Sequence, residues 1–440
     1  MLTPYLPAIE LPSKSPREAR PVLLLMAYEC MPGRGPEAPG RGSEASIGWG
    51  RVLEAAREFE LHVIVNAESF AAIERHLATN PIAGAVHFHT PTPDALSHLL
   101  KRIPRLPDRN HAAYRHWQRL ACRLARDLHR THCFSLVHQV TRTTFREPGY
   151  TWQLGIPYVW GPVGGTQSFP VAFLPGLPWI EQVKLRMHAF FNRRSLRRRP
   201  VKIAAQRAAV LLAANSTNQR DFEIAFRRPA ELLIESALDS THSPDPAKFH
   251  APGPLNILWS GELATPSALP LLLEALADLG HEVDYRLHVL GKGPREPEWK
   301  ELARALGLGG RCKFLGRVSN GARPTQFQWA HLLVYTSLRD PSATAVLEAL
   351  SHGVPVLCFD HQSAADIVTP ACGIKLPVTY PAHAILGIAS CIRALSHDRA
   401  RLLRLSAGAS ARARLYLWSE NGARVNSIYR SLALAARSGR

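Results

Sequence analysis

The sequence predicts an α/β protein of two parallel-sheet domains, and three observations carry that prediction. The chain has 440 residues, more than a single hydrophobic core usually supports. Short apolar runs of strand length alternate along it with helix-length segments, the order that produces βαβ units. One stretch, 332–377, shows such a unit in full. It passes from an apolar strand over Leu332–Thr336, through the polar turn Ser337-Leu338-Arg339-Asp340-Pro341, to a helix over Ser342–His352. Gly353 and Pro355 stop that helix, and the buried strand Val354–Phe359 follows.

In a parallel unit the ligand crevice lies outside the carboxyl ends of the strands. Asp340, Ser342, Ala343 and Thr344 occupy that end, and backbone N–H groups at a helix start suit an anion such as a diphosphate. Glu348 follows Asp340 by eight residues, about two helical turns. A phosphate cradle flanked by two carboxylates fits a ligand that carries hydroxyls beyond its phosphates, as a nucleotide sugar does.

Composition narrows the field. No apolar run approaches the ~20 residues of a membrane-spanning helix. Seven cysteines are scattered without short paired spacings, so neither a disulfide framework nor a metal site is expected and a reducing cytoplasm fits. The net charge is +18, and only 9 of the 53 basic residues are lysines, which points in part to arginine-rich composition. Two stretches concentrate the charge: residues 101–130 hold nine Lys or Arg against two Asp, and 184–207 hold nine against no acid.

In chain order, residues 1–20 read as a disordered, Pro-rich leader without the apolar core of a signal peptide. The first domain, 21–240, opens on a strand over Val22–Ala27. A Gly-rich loop ending at Gly42 follows, then Ser43 as N-cap of a helix to about Glu58. Glu44 is either a cleft residue or a first-turn acid favoured by the helix dipole. Strands over Leu61–Val65 and Ala85–His89 come next, then an amphipathic helix over His111–Arg130 with Tyr114, Trp117, Ala121, Leu124 and Leu128 in its apolar stripe. Its arginines form either a solvated face or a contact with an anionic membrane. A strand over Ser135–Val140 places His138 near its carboxyl end, and the Gly155–Gly165 run supplies Gly164 and Gly165 to a close-approach backbone.

Pro178–Lys202 sets Trp179, Ile180, Val183, Met187, Phe190 and Phe191 beside an arginine cluster, a pattern suited to an interfacial helix. A strand over Val210–Ala214 closes the first domain, with Asn215 capping the next helix. Residues 241–254 read as a polar, Pro-rich linker. The second domain, 255–414, begins with a strand over Asn256–Ser260 and Gly261-Glu262. A strand over Tyr285–Leu290 then leads into Gly291-Lys292-Gly293, and one over Cys312–Leu315 precedes the unit described first. A last helix occupies 415–440.

The run of Asp340, Glu348, Ala349, Gly353, Pro355 and Val356 resembles the motif of retaining GT-B glycosyltransferases of family 4 (glycosyltransferase group 1). Leu338-Arg339-Asp340, Asp360-His361-Gln362 and Gly155–Gly165 resemble its exopolysaccharide-type branch. The resemblance spans roughly residues 20–435. It implies the GT-B architecture, two Rossmann-like doubly wound parallel-sheet domains facing across a cleft, with the last helix crossing back and Trp418 packing it on the first domain. It implies transfer of a sugar from a nucleotide-sugar donor to a glycan or lipid-linked acceptor, with no metal or further cofactor. By the same likeness Asp340 holds sugar hydroxyls, Glu348 ribose hydroxyls, and the amides of Ser342, Ala343 and Thr344 the phosphates. His138 reaches the donor sugar, Gly42 and Gly261 lie near the diphosphate, and Glu44, Gly164 and Gly165 line the cleft.

The pattern breaks after the first strand of the second domain. There the family places Gly-Arg and, five residues later, Lys, two cations that hold the diphosphate; this chain has Glu262 and Ser267. Lys292 and Arg339, with Arg41 and Arg317, are placed to substitute. The alternative is an inactive homologue serving as a scaffold in polysaccharide assembly. No nucleic-acid motif is present. The location implied is the cytoplasm, peripheral at the inner membrane face through 111–130 and 179–202.

Overall fold

The structure is a computed structural model describing residues 20–33, 43–102, 107–340 and 342–438. Residues 1–19 of the expected leader, Gly42 and Arg41 lie outside the described residues. Two wholly parallel sheets organise the molecule. The first contains β1 (Val22–Ala27), β2 (Glu60–Ile64), β3 (Val86–His89), β4 (Leu136–Thr141), β5 (Tyr158–Val163), β6 (Val210–Ala213) and β7 (Glu231–Leu232). Their order is β3-β2-β1-β4-β5-β6-β7. The second contains β8 (Leu255–Ser260), β9 (Tyr285–Leu290), β10 (Cys312–Gly316), β11 (Leu332–Tyr335), β12 (Val356–Phe359) and β13 (Gly373–Leu376), in the order β10-β9-β8-β11-β12-β13.

Helices cover both faces of each sheet, so the central strands are buried on both faces rather than on alternate ones. Leu23 and Leu25 of β1 enter one cluster, while Leu24 and Met26 enter the opposite one. In β8, Ile257 and Trp259 go to one side and Leu258 to the other. Each sheet reverses its strand order once, between β1 and β4 and between β8 and β11. Those two reversals are where ligands bind in doubly wound sheets, and here they face each other.

The helix Trp418–Ser438 returns to the first sheet. Its Tyr429 is fully buried there in the cluster of Leu23, Leu25 and Val140. Asn426 Nδ2 donates to the Glu54 carbonyl at 3.0 Å, and Arg51 lies 5.9 Å from the Trp418 ring centre. The 241–254 stretch contains a short helix, Ala247–His250, whose Phe249 is buried in the second domain's core. Lys248 Nζ donates to the Ala330 carbonyl at 2.7 Å. The basic 178–202 stretch forms two helices, Trp179–Leu196 and Arg199–Arg207. The Gly155–Gly165 run, expected as cleft backbone, is mostly the buried strand β5. Its Gly and Pro residues hid a strand whose every position is buried.

Glycine matters most where β9 ends. Gly291 has φ +135°, and a Cβ there would fall 1.8 Å from the Gly261 carbonyl oxygen. Gly280 also has positive φ, +54°, but open space around it. Gly291→Ala is therefore expected to cost roughly 3 kcal/mol or more, through collision added to backbone strain, and Gly280→Ala only about 1 kcal/mol. Urea unfolding of the two variants checks this, and equal costs would contradict it.

Candidate active site

Between the facing carboxyl ends lies a cleft of about 1860 Å³. Its first-domain wall is a face of the helix Glu44–Ala56, with Ser46, Trp49, Gly50 and Leu53. Its second-domain wall comes from the ends of β8, β9 and β11. Of the residues singled out from the sequence, Asp340, Glu348, Ser342, Thr344, Gly261, Lys292 and Arg339 all line it. So do the two departures, Glu262 and Ser267.

The turn after β11 is arranged around Asp340. Its Oδ1 accepts the Ser342 N–H at 2.9 Å and the Ala343 N–H at 3.2 Å, and its Oδ2 accepts the Tyr335 hydroxyl. The Asp340 N–H donates to Gln362 Oε1 at 2.8 Å. The amides of Ser342 and Ala343, expected to hold phosphate, are thus taken by a carboxylate. Those left at the start of the helix Thr344–Ser351 are Thr344 and Ala345, whose positions give them no intrahelical acceptor. Ala343 has φ 46° and ψ 40°, a left-handed conformation that costs a side chain of order 1 kcal/mol. It is buried and does not line the cleft. A glycine would adopt this backbone without that cost.

Glu348 is 3% exposed, and both its carboxylate oxygens accept Arg323 Nε at 2.7 Å. Arg323 NH2 also donates to Ser260 Oγ at 3.0 Å, which ties the helix to the end of β8. Sequence reasoning missed Arg323. It lies in the helix Arg323–Trp329, far from any motif, and only the fold brings it to Glu348.

Three cations line the cleft without a carboxylate partner among the described residues: Lys292, Arg317 and Arg339. Burial, then the neighbouring Arg146 guanidinium, lowers the pKa of Arg339. His188 of the helix Trp179–Leu196 is pushed down to about 4 by burial and then by Arg339 and Arg146, so it is neutral at pH 7. An electropositive corner therefore exists where the domains meet, and an anion would relieve it.

The first-domain residues fall elsewhere. His138 is fully buried: Tyr429 donates to its Nδ1 at 2.5 Å, and its Nε2–H meets the Gly161 carbonyl. Burial, followed by the Arg51 charge, pushes its pKa down to about 3. The reading of His138 as a donor-sugar contact is corrected accordingly: it is a neutral bridge between the first sheet and the returning helix. Glu44 Oε1 accepts both the N–H and hydroxyl of Thr143, each at 3.1 Å. This joins the first helix to the segment after β4, and Glu44 does not line the cleft. Gly164 donates to the Thr143 carbonyl at 2.7 Å and Gly165 to Gln167 Oε1 at 2.9 Å, so both serve turns behind the wall.

A further carboxyl, unmarked in the sequence, sits behind the cleft. Glu235 follows the apolar run Leu232-Leu233-Ile234 and is 5% exposed, with Oε2 lacking a hydrogen-bond partner among the described residues. Burial, then the charges of Glu44 and Asp340, pushes its pKa up to about 8. Burial also raises Glu44, with Glu29 adding to the rise. Glu235 consequently carries a proton at neutral pH beside two carboxyl groups from opposite domains. A single acid closing an apolar run was the only signal available for it.

Comparison with known proteins agrees with this geometry. Residues 245–401 match the family model described as glycosyl transferases group 1. The whole chain resembles sucrose-phosphate synthase from Thermosynechococcus elongatus, at 15% identity and a TM-score of 0.61 over 94% of this chain and 100% of that one. Anabaena HepE in complex with UDP follows at 16% and 0.59, over 93% and 100%. The lipopolysaccharide outer core galactosyltransferase WaaB stands at 14% and 0.59, over 93% and 99%. No curated protein sequence matches the chain. The fold is GT-B: two parallel-sheet α/β domains across a cleft.

Glu235 makes the site sensitive to pH with a definite sign. Its folded pKa exceeds the unfolded value of about 4.3, so the folded chain binds more protons between there and about pH 8, and stability falls as pH rises through that window. Glu235→Gln removes this dependence. The variant is expected to gain on the parent, on the order of a few kcal/mol, as pH goes from 5 to 9, read by denaturant unfolding at each pH. A gap that does not change with pH would show Glu235 ionised at neutrality.

Proposed function

We propose that the protein is a retaining glycosyltransferase that moves a sugar from a nucleotide-sugar donor to a glycan or lipid-linked acceptor in cell-surface or exopolysaccharide synthesis. One observation carries this: Glu348 and Asp340 stand at the second sheet's strand reversal, facing Lys292, Arg317 and Arg339, cations that have no carboxylate partner there. Carboxylates for hydroxyls beside cations for phosphates match the two halves of such a donor. HepE, a similar fold, is seen with UDP-glucose. Asp340 would hold the sugar, Glu348 the ribose, and the amides of Thr344 and Ala345 with the three cations the diphosphate. Leaving-group stabilisation by these groups would carry the catalysis without a metal.

Glu262 and Ser267 favour a second reading, an inactive scaffold. Both face the cleft where the resembled family has cations. Calorimetry against UDP-, GDP- and CMP-sugars separates the two. The enzyme reading expects one of them to bind, Glu348→Gln to weaken binding by about 1.5–3 kcal/mol, and Lys292→Ala or Arg339→Ala by a similar amount. Glu262→Arg with Ser267→Lys should tighten it tenfold or more. No binding across the panel would leave the scaffold.

The acceptor side points to a lipid surface. On the helix Trp179–Leu196, Trp179 is 72% and Phe190 61% exposed, with Ile180, Val183, Met187 and Phe191 exposed beside Arg193, Arg194, Arg197 and Arg198. The apolar stripe of the helix Pro107–His132 packs on the core instead, through Tyr114, Ala121 and Ala125. No helix among the described residues is long and apolar enough to cross a membrane. Peripheral attachment through 179–199, at the cytoplasmic face, fits a lipid-linked acceptor. The protein should sediment with anionic vesicles and lose most binding at high salt or in Phe190→Glu. Equal binding to neutral vesicles would count against it.

A further inference from the structure

On the outer edge of the first sheet, among residues that do not line the cleft, four histidines gather. The edge strand β3 and its neighbour β2 supply three of them. Along a strand, alternate residues share a face. In β2 these are Glu60 and His62, and in β3 they are His87 and His89. The register sets His62 directly opposite His87 and Ile64 opposite His89. His132, the last residue of the helix Pro107–His132, adds its ring 4.0 Å from that of His62.

His62 is the centre of this group and is 1% exposed. Its Nδ1 lies 3.0 Å from His89 Nε2, yet its Nε2 has no hydrogen-bond partner among the described residues. An unpartnered ring nitrogen at that depth is costly unless something unseen completes it. Glu60 Oε1 lies 3.9 Å from it, too far for a hydrogen bond. The ligand atoms of Glu60, His62 and His87 all lie within 4.8 Å of one another.

We propose that Glu60, His62 and His87 bind a divalent first-row transition ion, with zinc the natural occupant. Two imidazoles and a carboxylate are the borderline-hard set such ions take. Donor atoms on a tetrahedral zinc stand about 3.4 Å apart, given bonds of about 2.1 Å. The separations, 3.9 Å between Glu60 Oε1 and His62 Nε2 and within 4.8 Å for the set, need closure by up to about 1.4 Å, and half-buried Glu60 and exposed His87 are the adjustable members. His89 has the orienting role: when His62 Nδ1–H donates to His89 Nε2, the lone pair of His62 Nε2 faces the site. The scattered cysteines pointed away from any metal, but Glu60 and His62 on β2 and His87 and His89 on β3, each pair at a spacing of two on neighbouring strands, are a pattern that cysteine counting does not reveal. An ion here would clamp β3, the four-residue edge strand, onto β2.

The test uses the full chain, stripped by chelator and titrated with zinc chloride in calorimetry, with Co²⁺ as a spectroscopic probe. One equivalent should bind at micromolar concentration or tighter, and the melting temperature should rise by several degrees. Co²⁺ should give tetrahedral bands without thiolate charge transfer, and Cys133→Ser should leave binding unchanged. His87→Ala and Glu60→Gln, both at accessible positions, should each weaken binding at least tenfold with the circular dichroism spectrum intact. Absence of binding at 1 mM zinc, or binding that survives both substitutions together, would overturn the assignment.

Discussion

The cleft exists because the helix Trp418–Ser438 leaves the second domain and is anchored in the first. Tyr429, wholly buried, donates to His138 at 2.5 Å, and His138 in turn reaches the Gly161 carbonyl. Arg51 meets Asn421, whose own Nδ2 donates to the Ile234 carbonyl at 3.0 Å. Around residue 417 the chain adds a parallel bridge, Leu238 to Leu417. These contacts hold the two strand reversals opposite each other. A histidine that stayed charged could not serve here; burial that pushes its pKa to about 3 keeps it neutral and fit for a dry interface.

Within that frame, charge is distributed unevenly between the two walls. The first-domain side gathers carboxyls, with Glu44 and Glu235 behind the surface and both pKa values raised by burial. The second-domain side exposes Lys292 and Arg317 around the ends of β9 and β10. Asp340 stands between them, with its oxygens committed to the Ser342 and Ala343 amides and to Tyr335. A carboxylate fixed by two turn amides and a strand hydroxyl is oriented before any ligand arrives, the preorganisation that the proposed sugar contact would need. The same commitment takes the Ser342 and Ala343 amides, and leaves those of Thr344 and Ala345 without an intrahelical acceptor.

What could be read from the sequence followed from locality. The unit from β11 to β12 was legible because Gly353 and Pro355 punctuate it and its carboxylates lie eight residues apart, one in the turn and one on the short helix that follows. The central strands were legible because both their faces are buried. β5 was not, since Gly161 and Pro162 interrupt a segment that tertiary packing nonetheless makes a strand. Residues defined by long-range contact were the real losses. His138 looked like a ligand contact because it ends a parallel strand, and its true partner lies 291 positions away. Arg323 and Glu235 stand in no motif at all; their meaning comes from Glu348 and from the carboxyls of Glu44 and Asp340 in opposite domains. Periodicity reports burial, but it does not report which distant group shares the space.

On the proposed function, the exchange of a local cation pair for Glu262 and Ser267 is a question of distance more than of count. Coulomb attraction falls as the inverse of separation, so at an effective dielectric of ~20 a contact worth about 4 kcal/mol at 4 Å keeps about half of that at 8 Å. Lys292, Arg317 and Arg339 need not touch the phosphates to offset one missing contact, provided no carboxylate neutralises them; among the described residues none does. Glu262, exposed at the rim, is screened by water and weighs less than a buried anion would. The cost falls on geometry. Diffuse charge attracts a diphosphate but positions it poorly, whereas near-attack alignment rests on short, directed bonds. Such a site keeps affinity better than turnover. Donor binding with slow transfer is therefore the behaviour this arrangement of charges favours, and it lies between the active enzyme and the inert scaffold.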